Sequence, residues 1–237
     1  MIRGHRIGVT RAWPSFTVLL EDKGARVEVI VLTRAVPPTL STGLDLALKD
    51  GLDDYDWVGF SSISGVDALL ARVSVEQLSG CRLAAVGPAT AASLVALGLE
   101  VDLVPTLHTA EGLAAELLAR PVASILLPSA ERGRPELAEA LSAGGWDVLR
   151  VAAYSTEAVE ISVVERSSLM ACDVLCFLAP SAVGAWAQAV ESPDVSPPLV
   201  AIGPTTASAV EVHGFSLLGT AESATPEAMV ALLEQKL

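Results

Sequence analysis

At 237 residues the chain is longer than a typical single domain, and two compact units of roughly 100 to 130 residues are expected. Its residues are 51% apolar and only 4% aromatic, which suits tightly packed Ala, Val and Leu elements and argues against both disorder and a base-stacking surface. A formal net charge of −13 speaks against a phosphate-tracking basic face, so neither nucleic acid nor an anionic membrane is an expected partner.

In chain order, "RIGVT" reads as a strand, "SFTVLLEDKG" as a helix and "RVEVIVL" as a second strand. The strand "WVGF" precedes the helix "SGVDALLARV", and "RLAAV" precedes "TAASLVALG". The second half continues with "ASILLP", "PELAEALSAGG", "WDVLRVAAY", "DVLCFLA", "SAVGAWAQAV", "LVAIG" and "TTASAVEVHG". Continuous apolar strands alternating with amphipathic helices indicate α/β architecture, with parallel sheets covered on both faces.

Part of this pattern occurs twice. Adding 116 carries Gly87 to Gly203, Pro88 to Pro204, Thr90 to Thr206, Gly98 to Gly214, Thr109 to Thr225 and Glu111 to Glu227. Upstream, Asp56, Phe60, Ser64 and Val66 match Asp173, Phe177, Ser181 and Val183 at an offset of 117. Earlier still, "IGVTR" with a helix ending at Gly24 resembles "ILLPS" with a helix ending at Gly145. Two similar halves follow, each a short strand-helix-strand piece and then a longer α/β piece. "TRAVPPTLSTG" (33–43) and "YSTEAVEIS" (154–162) have linker chemistry between the pieces. Composition alone leaves open whether each short piece stays in its own lobe or is exchanged.

Cys81, Cys172 and Cys176 are an odd number without paired zinc spacing, so buried thiols are expected rather than disulfides, with Cys172 and Cys176 on one face of a strand. "MIRGHRIGVTR" lacks the apolar core of a secretory signal, and no window approaches the roughly 18 apolar residues of a membrane span. A cytoplasmic protein is expected.

Every apolar strand runs into a turn bearing a hydroxyl: Thr10-Arg11, Ser61-Ser62, Gly87 to Thr90, Pro128-Ser129, Pro180-Ser181 and Gly203 to Thr206. The plain role of such residues is to cap helices. The functional role follows from placement, since in a parallel α/β sheet these turns lie at the carboxyl ends of the strands, where helix N-termini attract anions. Twelve of the 15 basic residues are arginine, the side chain best shaped to grip carboxylates in pairs. A dinucleotide fingerprint, a P-loop and a nucleophile elbow are absent from the sequence. His5, His108 and His213 show no metal spacing, and His213 is placed to cap a helix C-terminus.

The ordered set "VTR" (9–11), "DWVGFSSISGV" (56–66), "AVGPATA" (85–91), "TAEGL" (109–113), "VLRVAAYST" (148–156), "FLAPSAV" (177–183) and "AIGPTTA" (201–207) resembles the uroporphyrinogen-III synthase family over nearly the whole chain. The resemblance implies a cofactor-free, metal-free enzyme that cyclises the linear tetrapyrrole hydroxymethylbilane with loss of water and inversion of the last pyrrole ring. It implies two similar parallel-sheet α/β lobes, 1–35 plus 157–237 and 36–156, joined by two strand-like linkers with a cleft between them, in a monomeric protein. It makes Tyr154 the candidate acid that helps water leave, against a plain packing role. Thr10, Arg11, Ser62, Ser64, Gly87, Thr90, Ser129, Arg132, Ser181, Gly203 and Thr206 are the candidate substrate contacts, with capping the alternative for Thr90 and Thr206. "LPSAERG" departs from the family pattern at Ser129 and Ala130, with Arg132 offering a cation nearby, and "FLAPS" departs at Leu178. Two other readings share the repeat: a two-lobed small-molecule binding or sensor module without turnover, and a cofactor enzyme on paired Rossmann-like lobes, which lacks the glycine fingerprint.

Overall fold

The computed structural model describes residues 1–40 and 42–237. The chain opens with β1 (Arg6–Val9), α1 (Pro14–Asp22), β2 (Arg26–Val29) and β3 (Thr33–Val36). Next come α2 (Thr42–Ala47), β4 (Trp57–Phe60), α3 (Ile63–Leu70), α4 (Val75–Leu78), β5 (Arg82–Ala85), α5 (Pro88–Ala96) and α6 (Ala110–Leu118). The second half holds β6 (Ser124–Ala130), α7 (Glu136–Ala143), β7 (Asp147–Ala158), α8 (Val163–Met170) and β8 (Val174–Phe177). It ends with α9 (Pro180–Ala189), β9 (Leu199–Ala201), α10 (Pro204–Val212), β10 (Leu217–Thr220) and α11 (Pro226–Lys236). Both segments read as linkers are partly strand: β3 occupies the start of one, and β7 runs on through Ala158 into the other.

Two compact units divide these elements, Met1–Arg34 with Glu157–Leu237, and Ala35–Thr156. The first contains a sheet in the order β10-β9-β8-β1-β2, all of whose pairings are parallel. The second contains β3-β7-β6-β4-β5, in which β7, β6, β4 and β5 are parallel. The duplication seen in the residues is a duplication of topology. β4 and β5 correspond to β8 and β9, and β6 and β7 to β1 and β2. The isolated bridge between Ala84 and Leu103 becomes, on adding 116, the Val200–Gly219 pair of β9 and β10. The helices α1 and α7 are each followed by a glycine in the left-handed region, Gly24 at φ +82 and Gly145 at φ +87, the conformation glycine adopts without steric cost at a helix C-terminus.

The unbroken apolar strands are explained by burial on both faces. In the second unit Val58, Phe60 and Leu126 point into one core while Trp57, Ile125 and Leu127 point into the other. In the first, Ile7, Val9, Val174 and Val200 serve one core and Leu175, Phe177 and Leu199 the other. Each such side chain contributes about 1.5–3 kcal/mol relative to exposure, and this sets the strand positions. Cys172 and Cys176 do not share a strand face as their spacing suggested. β8 begins only at Val174, so Cys172 sits in the turn after α8 and packs with Leu169 and Leu175, whereas Cys176 packs with Val9 and Val174. Burial pushes the Cys172 thiol up to about 11 and raises that of Cys176 further, so both stay protonated.

In each unit the connections run outward in opposite directions from a central pair, β1 with β8 and β6 with β4. Such a pair is a topological switch point, where the turns leaving two neighbouring strands part and open a crevice at their carboxyl ends.

Candidate active site

In the second unit the switch point lies between the ends of β4 and β6. Ser62 leaves β4 and is the N-cap of α3, its Oγ accepting the Gly65 backbone N–H at 3.2 Å. Gly65 has no alternative here, because a Cβ would lie 2.9 Å from the Pro128 carbonyl oxygen of β6. The same Ser62 Oγ is 2.8 Å from the hydroxyl of Tyr154, which reaches it from β7. Tyr154 is half-buried against the Val58 core.

What aims Tyr154 is an irregularity in the ladder. Pairing of β6 with β7 is regular from Ser124–Asp147 to Ser129–Ala152, then jumps to Ala130–Tyr154. Ala153 is thereby left without a partner on β6, and a bulge of this kind redirects the side chains beyond it. The Glu131 N–H closes the ladder on the Tyr154 carbonyl at 2.7 Å.

The Gly-Pro turns build the neighbouring positions. Gly87 and Gly203 are the N-caps of α5 and α10, both in extended backbone, and neither helix receives a side-chain cap. Thr90 and Thr206 stand at the third helical position and are buried, so the capping alternative does not hold for them. A cap must precede the helix in extended backbone so that its oxygen can turn back on the N–H groups, and glycine occupies that place. Among the described residues, side-chain oxygens cap α3, α4, α6, α8 and α11, whereas α1, α5, α7, α9 and α10 carry none. The second group includes the helices leaving β1, β5, β6, β8 and β9, whose first turns receive no side-chain oxygen, although in α9 and α10 the Ala182 and Thr206 N–H groups already donate to the Ala179 and Gly203 carbonyls. The partial positive charge of these helix starts is suited to carboxylates.

The remaining candidates divide by what their side chains already do. Thr10 is fully buried and its hydroxyl donates to the Cys176 carbonyl at 3.0 Å, tying β1 to β8. Ser129 donates to the Val151 carbonyl at 3.2 Å, which commits it to the β6–β7 pair. Arg11 and Arg132 are exposed beyond the ends of β1 and β6. Ser64 is half-buried and Ser181 exposed, each at the second position of its helix. Within the second unit the structure brings Ser62 and Tyr154 into contact, and within the first it sets Thr10 and Ser181 on the two sides of the β1–β8 junction. Glu111 lies in the first turn of α6, where its own backbone N–H and the Thr109 hydroxyl hold its carboxyl below the usual range. His213 is the C-cap of α10.

Three residues of the rim escaped the sequence reading. Arg150 Nη2 donates to the carbonyls of Ala130 at 3.2 Å and Gly133 at 2.7 Å. The Glu131 carboxylate accepts from Thr39. His108 flanks Gly87, its Cβ 4.0 Å from where a Gly87 Cβ would be. Only the place of Glu131 just after an apolar strand was a signal; nothing in residue order ties it to Thr39. Among the described residues no three His, Cys, Asp or Glu side chains are grouped to hold a metal ion, and no helix is long and apolar enough to cross a membrane.

Comparison with known proteins places the chain. Residues 15–231 match the family model described as uroporphyrinogen-III synthase HemD. A uroporphyrinogen-III synthase of Synechococcus elongatus is 33% identical over 148 residues, 60% of this chain and 55% of that protein, so the chain spans about half the length of this relative. A putative uroporphyrinogen-III synthase of Methanocaldococcus jannaschii is 28% identical over 197 residues, 76% of this chain and 80% of that one. Among solved structures, the uroporphyrinogen-III synthetase of Helicobacter pylori superposes with a TM-score of 0.68 at 19% identity, covering 98% of this chain and 99% of the other. A mutant uroporphyrinogen III synthase of Thermus thermophilus gives 0.60 at 18% identity, covering 98% of each chain. These two share the fold. With the family match extending over all but the two ends of the sequence, the chain belongs to the uroporphyrinogen-III synthase family.

Proposed function

We propose that the chain converts hydroxymethylbilane to uroporphyrinogen III, as a cofactor-free cytoplasmic monomer with neither nucleic acid nor membrane as partner. The observation that carries this reading is the Tyr154 hydroxyl held 2.8 Å from Ser62 Oγ at a switch point, in a chain of this family. Hydroxide is a poor leaving group, so Tyr154 gives a proton to the substrate hydroxymethyl oxygen as its C–O bond breaks, and water departs. The electrophilic azafulvene left behind is attacked by the substituted α-carbon of the terminal ring. The spiro intermediate fragments and recloses with that ring inverted, and loss of a ring proton restores the pyrrole.

Left to itself the azafulvene closes to the uninverted isomer, so selectivity is a matter of geometry. Positioning and dipoles matched to developing charge supply it. Uncapped N–H groups at Gly87, Ala89 and Thr90 and at Gly203 and Thr205, with Arg11 and Arg132, are suited to the substrate carboxylates. Ser62 orients the tyrosine, and Ser64 and Ser181 offer further hydroxyls. The test is to supply freshly made hydroxymethylbilane and separate the cyclic products: the inverted isomer should predominate, and formation of the spontaneous isomer alone would refute the reading. The alternative of a binding module without turnover predicts that second result together with retained affinity.

A further inference from the structure

We propose that Glu131 is a positioning residue for Tyr154, holding the bulge of β7 in register by anchoring the loop after β6 to Thr39. The catalytic part of this proposal rests on Tyr154 being the proton donor.

Glu131 is fastened at both ends. Its backbone N–H donates to the Tyr154 carbonyl at 2.7 Å, the first ladder bond beyond the bulged Ala153. Its carboxylate uses both oxygens on one residue, accepting the Thr39 N–H at Oε1 and the Thr39 hydroxyl at Oε2, each at 3.1 Å. The loop around it is closed as well: the Gly133 N–H donates to the Ala130 carbonyl at 2.8 Å, and Arg150 holds the carbonyls on either side. A bulge is one residue away from a regular ladder, and in a strand a shift of one residue turns every later side chain to the opposite face. The bond from Glu131 to the Tyr154 carbonyl forbids that shift. Thr39 in turn holds Glu131 through its side chain, so a contact outside the reacting centre decides where the tyrosine hydroxyl points. Removing the side chain at position 131 with alanine breaks both bonds to Thr39, whereas an amide could keep both, because the Thr39 hydroxyl can accept as well as donate.

The chain contains two tyrosines, Tyr55 and Tyr154, and Tyr55 donates to the Ala47 carbonyl at 3.0 Å, away from the rim. Labelling with 3-fluorotyrosine therefore gives two fluorine resonances, assigned with Tyr55→Phe. In Glu131→Ala and in Thr39→Val the Tyr154 resonance should shift or broaden while that of Tyr55 stays in place. The kcat on hydroxymethylbilane should fall about tenfold with KM nearly unchanged, as expected when a reacting group is misplaced. Glu131→Asp, one methylene shorter with the charge kept, should lie between. A Tyr154 resonance that is unmoved in both variants overturns the proposal. A moved resonance in a chain that never forms uroporphyrinogen III supports the positioning role and removes the reading of the reaction instead.

Discussion

The two units are built on one plan and differ where the chemistry is expected. Both present a Gly-Pro turn, an uncapped helix and a buried threonine at the end of corresponding strands, β5 and β9. In the first unit the strand beside the switch point runs on regularly, with Ile30 donating to Val9 and Leu32 to Thr10, and both side chains are buried. In the second the matching strand bulges after Ala152 and turns a tyrosine toward Ser62. In the proposed reaction the shared features take the carboxylates, and the feature confined to one unit supplies the proton. Tyr154→Phe, which removes only the hydroxyl, is accordingly the largest effect expected: kcat should fall about 100-fold, at the low end of what a positioned general acid contributes. Rate and product isomers measured on hydroxymethylbilane check this, and full turnover with an unchanged isomer ratio would erase the distinction between the units.

A second contrast concerns stability. Thr109 and Thr225 cap α6 and α11 in the same way, accepting the N–H of Gly112 at 3.1 Å and of Ala228 at 3.3 Å. Only the second unit needs glycine there, because a Cβ on Gly112 would overlap the Leu107 carbonyl group. Gly112→Ala should therefore destabilise by about 1–3 kcal/mol, the usual cost of forcing atoms into a packed site. The reciprocal Ala228→Gly should cost about 1 kcal/mol, through helix propensity alone. Urea unfolding midpoints of the two variants sharpen the comparison, and a Gly112→Ala midpoint at or above that of the parent would show that the Leu107 turn yields to the added methyl group.

How much of this was legible follows from where each partner lies along the chain. β4, β8 and β9 could be read because burial on both faces leaves no charged or hydroxyl residue inside them, and the carboxyl rim followed because parallel strands all end on one side. α8 was missed, since "VVERSSLM" buries only Leu169. β10 was missed too, its residues being only half-buried. For the site, the turn positions were legible but the use of each hydroxyl was not. Thr10 is consumed by a carbonyl 166 positions away, and Glu131 meets a residue 92 positions earlier. Such pairings are set by tertiary packing, and no local pattern encodes them. The bulge that aims Tyr154 left no mark either, because "VAAYST" alternates as well with a bulged alanine as without one.

The smallest expected effect belongs to a device the units share at the opposite ends of their strands. Asp56 precedes β4 and accepts the backbone N–H and the hydroxyl of Ser124 at 2.9 and 3.0 Å, clipping the start of β6 beside it. Asp173, its counterpart, accepts the Arg6 N–H at 2.7 Å and clips β1 beside β8, but its carboxylate also stands 3.3 Å from His5 Nδ1. The Ser124 backbone N–H first, then the Ser124 hydroxyl, hold the Asp56 carboxyl below its ordinary value of 3.8. A carboxyl lowered by folding contributes stability that is fully present above the unfolded value and is lost as pH falls through the lower native one. Asp56→Asn should therefore show a reduced urea midpoint at neutral pH and converge on the parent protein as the pH drops below 3.8. A deficit that stays constant with pH would mean that the amide fails through shape rather than charge. The clip would then be a steric join between strands, equivalent in the two units despite their different neighbours.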